Sequence, residues 1–218
     1  EGLREHLRVD ALERGVGVGG HAVHALGGLL VARAHARRRR TVRGMRRVLW
    51  LNGAFGAGKS TTALHIAGAD PSWHLFDPEW VGYMLRANLH GHMPDDFQDL
   101  PAWRTLVPRV AHEVASATGS DLLAVQTVLN EAYWRQIRSG MSSLGLGVFH
   151  VVLDVADDAL RARIATDTTD PGAAGWRLGH VDAWLAARGW MTSAADLVVD
   201  ASVQGPEEVS RAVLAALA

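Results

Sequence analysis

Gly53-Ala54-Phe55-Gly56-Ala57-Gly58-Lys59-Ser60 matches G-x-x-x-x-G-K-[ST] at every fixed position. Residues 46–51 before it (R-R-V-L-W-L) read as a buried strand, and residues 61–67 after it (T-T-A-L-H-I-A) as the first turns of a helix. The chemistry accounts for the spacing. Glycines let the backbone wrap with its N–H groups pointing inward around phosphate oxygens, at the positive end of the following helix. Lys59 then reaches the β/γ-phosphates as a point charge, and the Ser60 hydroxyl can ligate Mg²⁺. Gly53 to Ser60, with Thr61 behind them, form the candidate nucleotide site.

Outward from this stretch, strands and helices alternate. Strands are expected at 73–76, 122–129, 148–155 and 196–200, and helices at 79–88, 101–118, 131–144, 157–164, 179–188 and 207–217. Pro108 predicts a kink or break inside the 101–118 helix. The expected fold is α/β: a five-stranded parallel sheet with helices on both faces, of the P-loop nucleoside-triphosphatase or kinase type. Residues 45–218 form that domain.

Residues 1–44 look separate. They carry nine Arg against four acids, whereas 45–218 carry thirteen basic and nineteen acidic residues. A basic arm and a targeting peptide are two readings, with Glu1, Glu5, Asp10 and Glu13 opposing the second. The preferred reading takes Met45 as the natural start and 1–44 as a non-native or disordered extension, with a frayed helix around 22–36. The net charge of −1 gives no general pull toward nucleic acid or membrane. The absence of Cys excludes disulfides, thiolate zinc sites and thiol catalysis, and agrees with a cytoplasmic protein. No apolar run approaches the roughly 20 residues that span a bilayer.

A P-loop specifies a nucleotide, not a reaction. Asp77 is expected at the carboxyl end of the second strand, beside the P-loop strand, where it can take a proton from an attacking hydroxyl or hold Mg²⁺ through water. Its plainer reading is a turn Asp before Pro78, with Glu79 as an early-helix acid. Asp95, Asp96, Phe97, Gln98 and Asp99, followed by Trp103 and Arg104, mark an acidic and aromatic loop on the acceptor side, with Arg86 facing it. Arg161, Arg163 and Arg177 flank the loop 166–175 and could close over the transferring phosphoryl group; a solvated helix face is the alternative. The third strand carries no carboxylate before Glu131, which disfavours ATPase motors and AAA-type machines. The eight Trp read as core and groove lining, and the eleven His give no metal pattern.

Three blocks, V-L-W-L-N-G-A-F-G-A-G-K-S-T-T-A (48–63), L-F-D-P-E-W-V-G-Y-M-L-R (75–86) and D-D-F-Q-D-L-P-A-W-R (95–104), resemble the tunicamycin-resistance ATP-binding proteins of bacteria. That P-loop kinase-like family is similar in layout to chloramphenicol phosphotransferase and small-metabolite kinases. The resemblance implies that Lys59 and Ser60 bind ATP·Mg²⁺, that Asp77 is the base, and that Arg163 and Arg177 are lid arginines. It implies tunicamycin, a nucleoside antibiotic, as substrate, with Phe97 and Trp103 able to stack on its uracil. Some members are thought to act at the membrane through an amphiphilic C-terminal helix. Here that helix (207–217) is short and carries Glu207, Glu208 and Arg211, which argues against stable insertion. The expected activity is ATP-dependent phosphorylation of a hydroxyl on a nucleoside-like or sugar-containing molecule. Sequestration of the drug without modification is the rival, and a nucleic-acid-associated ATPase using Arg37 to Arg40 a third reading.

Overall fold

Every residue from Val48 to Leu51 is inaccessible to solvent, because the strand carrying them is covered on both faces. Val48 and Trp50 join one apolar cluster and Leu49 and Leu51 the other, as the two-residue period of a strand requires. A computed structural model describes residues 45–168 and 171–218. The expectations for 1–44, the frayed helix included, lie outside the described residues.

The strands are β1 (Arg46–Gly53), β2 (Trp73–Phe76), β3 (Asp121–Val125), β4 (Leu146–Asp154) and β5 (Leu197–Asp200). They form one all-parallel sheet in the order β2-β3-β1-β4-β5. The described helices are α1 (Lys59–Ala69), α2 (Glu79–Leu89), α3 (Pro101–Thr118), α4 (Glu131–Ser143), α5 (Asp157–Thr166), α6 (Ala174–Gly179), α7 (Val181–Ala194) and α8 (Pro206–Leu217). Residues of α2, α3 and α4 pack on one face of the sheet, and residues of α1, α5, α7 and α8 on the other.

Three expectations change. β2 lies at the sheet edge and pairs with β3, so Asp77 is separated from the P-loop strand by β3 rather than standing beside it. β3 ends at Val125, because from there Gln126 and Thr127 turn their polar groups onto β1 and the loop beyond it. Pro108 breaks nothing: α3 runs on through it, and its ring packs so closely on Gly140 of α4 that a Cβ there would lie 2.9 Å from the Pro108 Cγ. Packing offsets the hydrogen bond that the missing N–H removes.

Candidate active site

The carboxyl ends of the five strands converge on the loop after β1. Gly53, Gly56 and Gly58 hold φ of 138°, 86° and 90°, in the region that side chains resist. Two of them are also fixed by space. A Cβ at Gly53 would stand 2.7 Å from the Leu153 carbonyl oxygen, and one at Gly56 2.9 Å from Ile164 Cγ1. No side chain caps α1, so its first-turn N–H groups are left for an anion. Ser60 and Thr61 lie in that turn.

Lys59 is buried, and its Nζ donates to the carbonyls of Gly53 (3.2 Å) and Ala54 (2.7 Å). Burial lowers its pKa to about 7; the Glu79 carboxylate opposes that shift and Arg177 adds to it. Its ammonium also lies 5.6 Å from the Phe55 ring centroid. Behind the loop, Asn52 Oδ1 accepts from the N–H groups of Gly53 (2.9 Å) and Val128 (3.0 Å). Asn52 Nδ2 lies 3.3 Å from His150 Nε2, and burial holds His150 neutral by taking its pKa to about 4. Neither Asn52 nor His150 stood out in the sequence, since a polar residue inside an apolar strand carries no sign of its partner.

On the acceptor side, the Asp77 carboxylate accepts from the Glu79 N–H (2.9 Å) and so starts α2 as a turn Asp, while Glu79 accepts from the Tyr83 hydroxyl (3.1 Å). Burial above all, with Glu79 beside it, pushes the Tyr83 hydroxyl up. Arg86 leans toward the Asp95 carbonyl at 3.5 Å, and its buried Nε has no partner. Asp96 caps the short turn Phe97–Asp99. Desolvation lifts its carboxyl above the usual range, against the pull of the Gln98 amide, His180 and Arg86.

Three proposed substrate residues face the interior instead. Trp103 is 0% exposed, with its indole N–H on the Pro78 carbonyl (3.1 Å), and cannot stack on a ligand. Gln98 is buried and donates to the Thr127 carbonyl (2.9 Å). Arg104 is buried too, held by the Gln98 carbonyl, by Gln136 (2.7 Å) and by the Tyr133 ring. These polar groups are taken up by partners inside the fold. Of the loop's two aromatics, Phe97 alone stays partly open, packed over Gly82 with no room for a Cβ between them. Trp103→Ala is therefore expected to cost about 3–5 kcal/mol of unfolding free energy without any ligand. Trp103→Phe, which loses the Pro78 bond and part of the buried ring, should cost less, about 1–3 kcal/mol. Denaturant unfolding checks both, and wild-type stability in Trp103→Ala would refute the core assignment.

The arginines divide. Arg163 donates to the Ser202 carbonyl (3.1 Å) and lines a cavity of about 190 Å³ between the glycine loop and the start of α8. Arg177 pairs with Asp167 and bears on Lys59. Arg161, assigned to the nucleotide, instead bonds Asp157 (2.6 Å) and Asp182 (2.9 Å) on an exposed helix face. Two aromatics escaped the sequence reading. Trp176 (42% exposed) and His180 meet the Phe55 ring at 4.5 and 5.3 Å, setting α6 against the P-loop. Gln126 and Thr127 follow the end of β3 without a carboxylate, and the described residues hold no group of three His, Cys, Asp or Glu placed to bind a metal ion. No described helix is long and apolar enough to cross a membrane.

A glycine cradle, a buried lysine and an uncapped helix start at the carboxyl edge of a parallel sheet define a P-loop nucleotide-binding domain. The family is shown by the match of residues 48–175 to the AAA domain model, and the chain belongs to that family. No curated protein matches. Among solved structures, the chain is similar to the tunicamycin resistance protein of Deinococcus radiodurans (24% identity, TM-score 0.61, covering 79% of this chain and 95% of that one). It is similar also to a sugar kinase from Janibacter sp. HTCC2649 (17%, 0.58, 79% and 94%) and to shikimate kinase from Bacteroides thetaiotaomicron (20%, 0.52, 79% and 97%). At these identities the likeness establishes the fold.

Proposed function

We propose that the protein is a cytoplasmic ATP-dependent phosphotransferase acting on a hydroxyl of a nucleoside-like or sugar-containing small molecule, with tunicamycin-type antibiotics the leading acceptors. One observation carries the reading: Lys59 is buried in the glycine cradle on the Gly53 and Ala54 carbonyls, at the uncapped start of α1, and the charges of Glu79 and Arg177 both act on it. A donor phosphate at Lys59 would then lie within reach of both the Glu79 carboxylate and the Arg177 guanidinium. Asp77 takes the acceptor's proton, the acceptor oxygen bonds to the γ-phosphorus, and the bond to the β-phosphate oxygen breaks with its electrons leaving on ADP. Arg177 and Lys59 stabilise the charge that spreads over the phosphoryl oxygens. Ser60 would hold Mg²⁺, which neutralises phosphate charge when bound. Glu79, Arg86, Asp96 and Phe97 are left to contact the acceptor. The names of the similar structures, a tunicamycin resistance protein and kinases of small metabolites, support the choice of acceptor.

The test is to incubate the full chain with ATP, Mg²⁺ and excess tunicamycin and weigh the drug. A gain of about 80 Da, one phosphoryl group, that disappears in Lys59→Ala is the expected result. Stoichiometric drug binding without a mass change would replace transfer by sequestration. Neither binding nor mass change would remove tunicamycin as the acceptor.

A further inference from the structure

A second cavity, of about 540 Å³, lies between α3 and α4, within the roughly 300–1,000 Å³ of small-molecule sites. Every lining residue belongs to α3, to α4 or to Leu144 at the end of α4, so the cavity shares none with the glycine loop or α2. Sequence spacing builds it. Arg104, Thr105, Pro108 and Arg109 follow the i, i+1, i+4, i+5 pattern that sets residues on one helix face. Arg135, Gln136, Ser139 and Gly140 repeat that pattern on α4. Gly140 lets the helices meet at Pro108, where a Cβ would lie 2.9 Å from the ring, and the short Ser139 and Ser143 leave the rest of the cleft open.

The lining carries one sign of charge. Arg104, Arg109 and Arg135 supply three guanidinium groups and no described carboxylate lines the cleft, although acids outnumber bases over residues 45–218. Arg104 is only 9% exposed, yet it has no ion pair with any described residue. Its partners are all neutral: Nε donates to Gln136 Oε1 (2.7 Å), Nη1 to the Gln98 carbonyl, and Cζ lies 4.0 Å from the Tyr133 ring centroid. Nη2 bonds no described residue, and Gln136, its oxygen taken, keeps its amide N–H groups for a ligand. A buried charge is ordinarily paired, so this one points to an anion that the fold does not itself supply. Arg109 has no hydrogen bond or ion pair with any described residue. Arg135 has only its exposed pair with Glu131, of a kind worth little. We propose that the cleft binds a small polyanion, a molecule carrying at least two phosphate or carboxylate groups. Arg104 and Arg109 stand five residues apart, roughly 7–8 Å along the helix axis, so one anionic group cannot engage both bidentately. The guanidinium fork matches phosphate and carboxylate alike.

Calorimetric titration of the full chain with tripolyphosphate and, separately, with citrate tests the site. At least one probe is expected to bind with an equivalent that Lys59→Met retains. Combining Arg109→Ala with Arg135→Ala should weaken that equivalent about ten-fold or more. Both arginines are exposed, so the double variant keeps its core, and circular dichroism checks that it is folded. Arg211→Ala, which removes an exposed charge from α8, controls for net charge and should leave the affinity unchanged. Binding of tripolyphosphate alone identifies a phosphate ligand, and binding of citrate alone a carboxylate. Failure of both probes to bind, an affinity that survives the double variant, or an equal loss in Arg211→Ala would overturn the site. Binding of heparin without either small probe would overturn it too, making the cleft a contact for a macromolecule. None of these results touches the phosphotransferase reading, which the mass of the drug decides.

Discussion

Lys59→Met is expected to reduce phosphoryl transfer by about 10²–10³-fold or more while leaving the unliganded chain at least as stable as wild type. The loss of rate follows from removing a fixed cation where charge develops in the transition state. The unimpaired stability is the less obvious half. The two carbonyls that Lys59 serves each keep another donor: Gly53 retains the Thr127 hydroxyl at 2.9 Å, and Ala54 the Ala57 N–H at 3.2 Å. Met fills much of the same volume, and no acceptor is orphaned.

The sign of the pH dependence follows from the lowered pKa. Lys59 titrates at about 7 in the folded chain and near 10.5 when unfolded. Between those values the unfolded chain holds a proton that the folded chain has released, so stability rises with pH across that window. Below pH 7 the cost of the buried charge is present in full. The Met variant should lose this rise, and urea midpoints for both proteins between pH 7 and 10 check it; equal slopes would refute the buried-lysine assignment. Lys59 is the only lysine in the sequence, so ¹³C-labelled lysine gives a single side-chain titration. Its midpoint is expected near 7 without nucleotide and higher with ATP, because phosphate favours the charged form. Nucleotide binding near neutral pH should therefore take up protons.

How much of this was legible in the sequence depends on the range of the forces involved. The glycine loop and the alternation of strands and helices are local, and they locate β1 and α1 correctly. Strand order is not local, and nothing in W-H-L-F says that β3 will lie between β2 and β1. The substrate residues show the same limit. Trp103 looked available beside an acidic loop, yet Trp103, Val107, Ala111 and Ala115 recur every four residues along α3 and form its buried stripe. That spacing was the available signal. Gln98 and Arg104 carried none, since a polar side chain reveals its burial only through partners, here the Thr127 carbonyl, Gln136 and the Tyr133 ring. The cavity that Arg163 lines joins the glycine loop to a turn about 150 residues downstream, a meeting that only the closed fold brings about.

Asp77→Asn is the second large effect, expected to lower kcat by about 10²–10⁴-fold with ATP affinity unchanged. The substitution preserves shape and the turn, because an Asn side-chain oxygen still accepts from the Glu79 N–H. It removes only the capacity to hold a proton. Glu79 offers the competing assignment, since its carboxylate bears directly on Lys59. The two carboxylates separate by what else they move. Glu79→Gln deletes an influence that raises the Lys59 pKa, so the lysine should titrate lower and the pH range of tight ATP binding should shift downward. Asp77→Asn should leave that pH range in place. A collapse of kcat in Asp77→Asn with an unshifted binding profile makes Asp77 the base. Full turnover in Asp77→Asn, with the collapse in Glu79→Gln instead, would transfer the role one turn-forming hydrogen bond away, to the first residue of α2.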